Sequence, residues 1–194
     1  MDCTADAMVR AKRVRLVIFD VDGVLTDGGI YTGADGELFK PFNCKDGLGI
    51  TLAQRAGIET AIITGRTSKQ VAFRAKELHF THVYQGKPDK RAAYAELKEK
   101  LGLCDEEIAY IGDDLIDLPI LLQAGFPAAP CDAVPEVRQR VAFVSHFGGG
   151  HGAVREILTF ILQAQGKWQD LIAGFYETDA QQEKQKAEAE HLAQ

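Results

Sequence analysis

Val14-Arg15-Leu16-Val17-Ile18-Phe19 runs directly into Asp20-Val21-Asp22-Gly23-Val24-Leu25-Thr26-Asp27, and this junction decides the fold. The first half is apolar and β-branched without clear alternation, as in a strand covered on both faces of a parallel sheet. The second half is acidic, with a glycine that lets the backbone turn sharply. Similar runs recur at 60–63, 82–84, 108–111, 126–129 and 141–144. Helical patterns separate most of them, at about 46–56, 68–78, 88–101, 114–124 and 152–165. Asp46 is the expected N-cap of the first, and Pro88 the expected first-turn residue of the third. This alternation predicts an α/β fold built on a doubly wound parallel sheet. Residues 28–43 break the pattern: two short apolar arms around Gly33-Ala34-Asp35-Gly36 read as an inserted β-hairpin.

At 194 residues and 46% hydrophobic composition the chain suits one domain with a real core. The expected division is an arm at 1–13, a domain at 14–168 and a polar tail at 169–194. A net charge of −6 with interspersed signs gives no basic stripe for nucleic acid. Cys3, Cys44, Cys104 and Cys131 form no Cys-x-x-Cys pair, which speaks against a zinc site or a disulfide framework and for reduced thiols in the cytoplasm. The apolar run after the basic N-terminus is cut by Asp20, too short for a signal peptide or a membrane span.

Four short stretches carry chemistry, each at the C-terminal end of an expected strand, where open parallel sheets bind ligands. Asp20 and Asp22, one residue apart, can share a crevice, one attacking and one moving protons. Thr64-Gly65-Arg66 offers a hydroxyl, a close backbone N–H and a guanidinium to a phosphate or carboxylate. Gly86-Lys87-Pro88-Asp89-Lys90 supplies a cation to screen a phosphoryl group from an anionic nucleophile, with Lys87 and Lys90 competing for that place. Gly112-Asp113-Asp114-Leu115-Ile116-Asp117 clusters hard oxygen donors of the kind Mg²⁺ prefers. Each alone reads equally as turn, cap or surface charge; their common placement and order do not.

In that order the four resemble the motifs of the haloacid dehalogenase-like phosphatase superfamily, over roughly residues 14–145. The resemblance implies a Rossmann-like core, Asp20 as nucleophile, Asp22 as general acid and base, and Mg²⁺ held by Asp20, the Asp22 carbonyl and Asp113, with Asp114 behind. It also implies a phosphate held by Asp22, Thr64, Gly65 and Lys90, the last favoured over Lys87. Little chain is left between motifs for a cap domain. The apolar hairpin, with Ile30, Tyr31, Leu38, Phe39 and Phe42, is therefore expected to pack on copies of itself, so that a neighbouring subunit covers the site.

Phe42-Asn43-Cys44-Lys45-Asp46-Gly47 and Gly148-Gly149-Gly150-His151-Gly152-Ala153-Val154-Arg155-Glu156 narrow the resemblance to the 3-deoxy-D-manno-octulosonate (Kdo) 8-phosphate phosphatases and extend it to about Trp168. That family implies a homotetramer, a phosphorylated sugar acid as substrate with Arg66 at its carboxylate, and a part in lipopolysaccharide synthesis. The Gly148–Gly152 segment is expected to reach a neighbouring site. The rival expectations are a phosphatase of a nine-carbon sugar acid 9-phosphate and a non-catalytic tetramerisation module.

Overall fold

The computed structural model of the protein describes residues 3–176. In chain order the elements are α1 (Cys3–Ala11), β1 (Leu16–Phe19), β2 (Tyr31–Gly33), β3 (Gly36–Phe39), α2 (Cys44–Arg55), β4 (Glu59–Ile63), α3 (Lys69–Glu77), β5 (His82–Tyr84), α4 (Arg91–Leu101), β6 (Ile108–Ile111), α5 (Leu118–Leu121), β7 (Phe126–Ala129), α6 (Pro135–Arg138), β8 (Phe143–Val144), α7 (Ala153–Ala164) and α8 (Trp168–Ala173). Six strands form one sheet in the order β5-β4-β1-β6-β7-β8, every pair parallel. From β1 the chain moves outward first through β4 and later through β6. The C-terminal ends of these three strands therefore meet at the switch point of the sheet.

The period of two along a strand divides β1 between two cores. Val17 and Phe19 pack with α1, α2, α3 and α7, while Leu16 and Ile18 pack with α4, α5 and α6. All four are fully buried, which explains why β1 reads as an unbroken apolar run. The expected doubly wound parallel sheet with a hairpin insertion is the fold observed. β2 and β3 form the separate antiparallel hairpin, with Tyr31 and Phe39 stacked at 4.4 Å between ring centroids. No cap domain lies among the described residues. The chain uses its length between β1 and β4 on the hairpin and α2, and between β4 and β5 on α3 alone.

Several local expectations shift. Residues 3–11, in the expected arm, are a helix whose Ala7 and Ala11, one turn apart, are buried in the core. Asn43, not Asp46, caps α2, accepting from the Lys45 N–H at 2.8 Å. Asp46 lies one turn further on and crosses to α7, where it accepts from the backbone N–H groups of Arg155 (2.8 Å) and Gly152 (3.3 Å). Helix α4 begins at Arg91 rather than Pro88, because the Asp89 carboxylate takes the Arg91 N–H at 3.1 Å in a turn of its own. The expected helix at 114–124 is a 3₁₀ turn over Leu115–Asp117 followed by the single turn of α5, with Pro119 at its start. The expected tail lies outside the described residues from position 177 onward.

Candidate active site

β1 ends at Phe19, and the Asp20 N–H still bonds to the Ile111 carbonyl of β6 at 3.0 Å. This last rung fixes the Asp20 backbone beside the strand that leads to Asp113. Lys90, at the N-terminus of α4, points back under the sheet edge, and its ammonium lies 2.7 Å from both Asp20 Oδ1 and Asp117 Oδ1. Only 1% of Lys90 is exposed, whereas Lys87 faces solvent, so of the two competing lysines the fold turns Lys90 inward.

Asp117 is fully buried and saturated. Its Oδ1 accepts from Lys90 and from the Tyr110 hydroxyl (2.6 Å), and its Oδ2 from the Asp113 and Asp114 N–H groups (3.1 and 3.3 Å). Asp114 caps the 3₁₀ turn that brings Asp117 round, and stays exposed. Asp113 differs: its Oδ1 is buried and has no hydrogen-bond partner. Gly23, at φ +86°, lets the turn after Asp20 pass so close that a Cβ there would overlap the Asp113 carboxylate.

Asp20, Asp113 and Asp117 offer oxygens that lie within 4.8 Å of one another. One ammonium among three carboxylates leaves the cluster short of positive charge. Burial, and then the Asp117 charge, push Asp20 up to about 7. Burial, and then the Asp20 and Asp117 charges, push Asp113 up to about 8. For Lys90 burial acts downward, but the two carboxylates hold its pKa above the usual lysine value. A hard divalent cation fits this donor set, since it would engage the orphaned Asp113 oxygen and relieve the repulsion with Asp20. Asp117 has no free oxygen to give and is a support rather than a ligand.

The remaining expected residues surround this centre. Thr64 is buried at the end of β4, its N–H on the Tyr84 carbonyl at 2.9 Å, and its carbonyl accepts from the Lys87 N–H at 3.0 Å. Gly65 faces the Lys87-Pro88 segment, with room for no more than ordinary contact at 3.8 Å. Arg66 is half-exposed, its Nε 3.8 Å from Asp22 Oδ2. Asp22 Oδ1 pairs with Lys40, a buried lysine that the sequence reading did not single out. The sequence places Asp117 in the acidic cluster without assigning it a role.

The Gly148–Gly152 segment lies against its own chain's turn after Asp20. Gly150 donates to the Val24 carbonyl at 3.0 Å, Asn43 Nδ2 donates to the Gly150 carbonyl at 3.1 Å, and a Cβ on Gly149 would overlap the Gly23 carbonyl. The close approach of two backbones is what this glycine run permits. His151 turns its Nδ1 to the Gly149 carbonyl at 2.7 Å.

The haloacid dehalogenase-like hydrolase family matches residues 45–125. The chain is 49% identical over 164 residues to the 3-deoxy-D-manno-octulosonate 8-phosphate phosphatase KdsC of Escherichia coli (strain B / BL21-DE3), covering 84% of this chain and 87% of that protein. It belongs to this phosphatase family, within the haloacid dehalogenase-like hydrolases. Solved structures of the family superpose closely. The Yersinia pestis phosphatase is 48% identical, with a TM-score of 0.83 over 84% of this chain and 89% of that one. The Moraxella catarrhalis phosphatase, solved in complex with a magnesium ion, a phosphate ion and a KDO molecule, is 41% identical, with a TM-score of 0.85 over 88% of this chain and 98% of that one. The fold is thus shared with both over most of each chain.

Proposed function

We propose that this chain hydrolyses 3-deoxy-D-manno-octulosonate 8-phosphate to the free sugar acid and phosphate, with Mg²⁺, in lipopolysaccharide synthesis. The observation that carries the chemistry is the buried Asp20–Lys90–Asp113 arrangement, an oriented carboxylate beside a fixed ammonium and a cation-deficient acid. The family membership carries the substrate.

Asp20 attacks phosphorus through the oxygen not held by Lys90, so an Asp20 O–P bond forms as the bond from phosphorus to the sugar oxygen breaks. Asp22 gives its proton to the departing sugar oxygen. A water then attacks the aspartyl phosphate, Asp22 takes a proton from it, and phosphate leaves with Asp20 restored. Lys90 stays fixed throughout, held by Asp117, and stabilises the charge on the transferring group. Thr64 and Gly65 bind the phosphate oxygens, and Arg66, half-exposed at the rim, takes the substrate carboxylate. Mg²⁺, held by Asp20, the Asp22 carbonyl and Asp113, would neutralise charge between nucleophile and phosphate.

No cap covers the site among the described residues, and the hairpin beside it exposes Ile30, Leu38 and Phe39. A groove lined by Phe39, Phe42 and Phe73 continues this apolar surface. This surface supports self-association, and the family resemblance supplies the number: a homotetramer in which a neighbouring subunit covers each site. A cytoplasmic place accords with Cys44, Cys104 and Cys131 being free thiols, and no described helix is long and apolar enough to cross a membrane.

The test is phosphate release with Mg²⁺ or EDTA from Kdo 8-phosphate, a nine-carbon sugar acid 9-phosphate and hexose phosphates, for the wild type and Asp20→Asn. Metal-dependent preference for Kdo 8-phosphate, lost in Asp20→Asn, is expected. Preference for the nine-carbon compound overturns the substrate, residual turnover in Asp20→Asn overturns the nucleophile, and no release from any substrate promotes the tetramerisation module.

A further inference from the structure

We infer that Lys40 is a positioning residue for the acid–base carboxylate of Asp22, and that through it the hairpin supplies a working part of the site as well as an assembly surface. This rests on the hydrolase reading above. Lysine is almost never fully buried unless paired. Here only 3% of the Lys40 side chain is exposed, although it directly follows β3 at the base of an otherwise exposed hairpin. Its ammonium bridges two carboxylates, Asp22 Oδ1 on the nucleophile turn and Glu37 Oε1 on the hairpin at 3.4 Å. Glu37 is fixed in turn, because its Oε2 accepts from the Ser68 hydroxyl. Ser68 is the N-cap of α3, taking the Val71 N–H at 3.2 Å, two residues beyond Arg66. The chain of contacts thus runs from a helix cap on the Thr64 side of the crevice, through the hairpin, to Asp22.

The geometry explains what holds Asp22 in place. Asp20 has a strand end and Lys90 to fix it, whereas Asp22 sits two residues further on, past the last sheet hydrogen bond. Its Oδ2 has only the half-exposed Arg66, at 3.8 Å. Lys40 is its one buried charged partner among the described residues. A general acid must hold its oxygen within a fraction of an ångström of the leaving oxygen, and a carboxylate on a turn needs a neighbour to set its rotamer. Lys40 occupies one oxygen and leaves the other toward the crevice rim.

If Lys40 works through Asp22, its removal matters only while Asp22 can act. The experiment is a double-mutant cycle on the full chain with Mg²⁺ and Kdo 8-phosphate, measuring kcat and KM for wild type, Lys40→Met, Asp22→Asn and the double variant, with folding checked by circular dichroism. Lys40→Met should lower kcat about 10- to 100-fold, part of what acid–base catalysis contributes, with KM little changed. The same substitution in the Asp22→Asn background should add almost no further loss. An equal loss in both backgrounds, a loss confined to KM, or an unchanged kcat overturns the role. Should Lys40→Met fail to fold, Glu37→Gln takes its place, since it frees the far side of the ammonium without emptying a buried site. It should lower kcat in the wild-type background alone, and an equal loss in both backgrounds or none in either overturns the role. An inactive wild type refutes the hydrolase reading, and this role with it, and is read before any variant is compared.

Discussion

Truncating Asp117 to alanine should cost about 3 kcal/mol of stability. Asp117 accepts four hydrogen bonds, from Lys90, Tyr110 and two backbone N–H groups, and is fully buried. Breaking a buried ion pair by removing one partner costs roughly 3–5 kcal/mol. Two terms act in opposite directions here. The Tyr110 hydroxyl loses its acceptor in an interior position, which adds roughly 1–3 kcal/mol. Lys90 keeps Asp20, and the Asp117 charge that helps lift the Asp20 pKa is gone, which returns part of the loss. For a domain of this size about 3 kcal/mol lowers Tm by roughly 6–12 °C. The assay is thermal unfolding followed by circular dichroism in EDTA, so that bound metal does not contribute to the folded state. Asp117→Asn should also destabilise, because its NH₂ group must face either Lys90 and Tyr110 or two backbone donors. Turnover should fall about 100-fold in either variant as Lys90 loses its second anchor. A loss of Asp117→Ala stability below about 1 kcal/mol, with turnover retained, would refute the view of Asp117 as the support of the centre.

Gly149→Ala should lose about 1–3 kcal/mol and a large part of kcat, since the new methyl would overlap the Gly23 carbonyl and sit 2.9 Å from the Thr26 carbonyl, both backbone atoms of the turn after Asp20. Gly174→Ala, with nothing within 4 Å of the added methyl, should leave both unchanged, and equal effects in the two variants would remove the bracing role of the glycine run. Metal-free protein should gain thermal stability as pH falls through about 8 and then about 7, because folded Asp113 and Asp20 take up protons there that unfolded aspartates do not. The raised folded values fix the sign, Mg²⁺ should flatten the dependence, and a metal-free Tm that rises with pH across that window would contradict the charge deficit of the centre.

The sequence made the strand ends legible because a fully buried parallel strand stops abruptly at its first charge, as β1 does at Asp20 and β6 does just before Asp113. What a short motif cannot state is which of its charges the backbone turns inward. Lys87 and Lys90 are separated by one turn's worth of chain. The choice between them is made by Asp89, whose bond to the Arg91 N–H delays α4 and leaves Lys90 at its mouth, aimed at the sheet. Asp46 shows the same limit: its place in the first turn of α2 reads as a cap for that helix, yet its carboxylate serves the N-terminus of α7 more than a hundred residues later, with a sequence separation of 109 to Arg155. Lys40 was illegible for a related reason. Its partner Asp22 is 18 residues away across a hairpin, where no helical or strand period relates the two, and a lysine beside exposed Leu38 and Phe39 looks like one more solvated charge.

The glycine run at 148–150 carried the opposite ambiguity, since flexibility and close packing use the same residue. Only the contact with Gly23 and Thr26 separates them. The two illegible lysine and aspartate partners have a common logic. Each of the two carboxylates that follow β1 has a buried charge to hold it. Asp20 has Lys90 backed by Asp117, and Asp22 has Lys40 backed by Glu37. The motif names the reacting group, whereas its holder comes from whichever element packs nearest: α4 in the first case and the hairpin in the second. The proposed acid and the proposed assembly surface share one hairpin, since Lys40 at its base pairs with Asp22 while Leu38 and Phe39 stay exposed, so a substitution that loosens the hairpin base should reduce turnover even where association is retained.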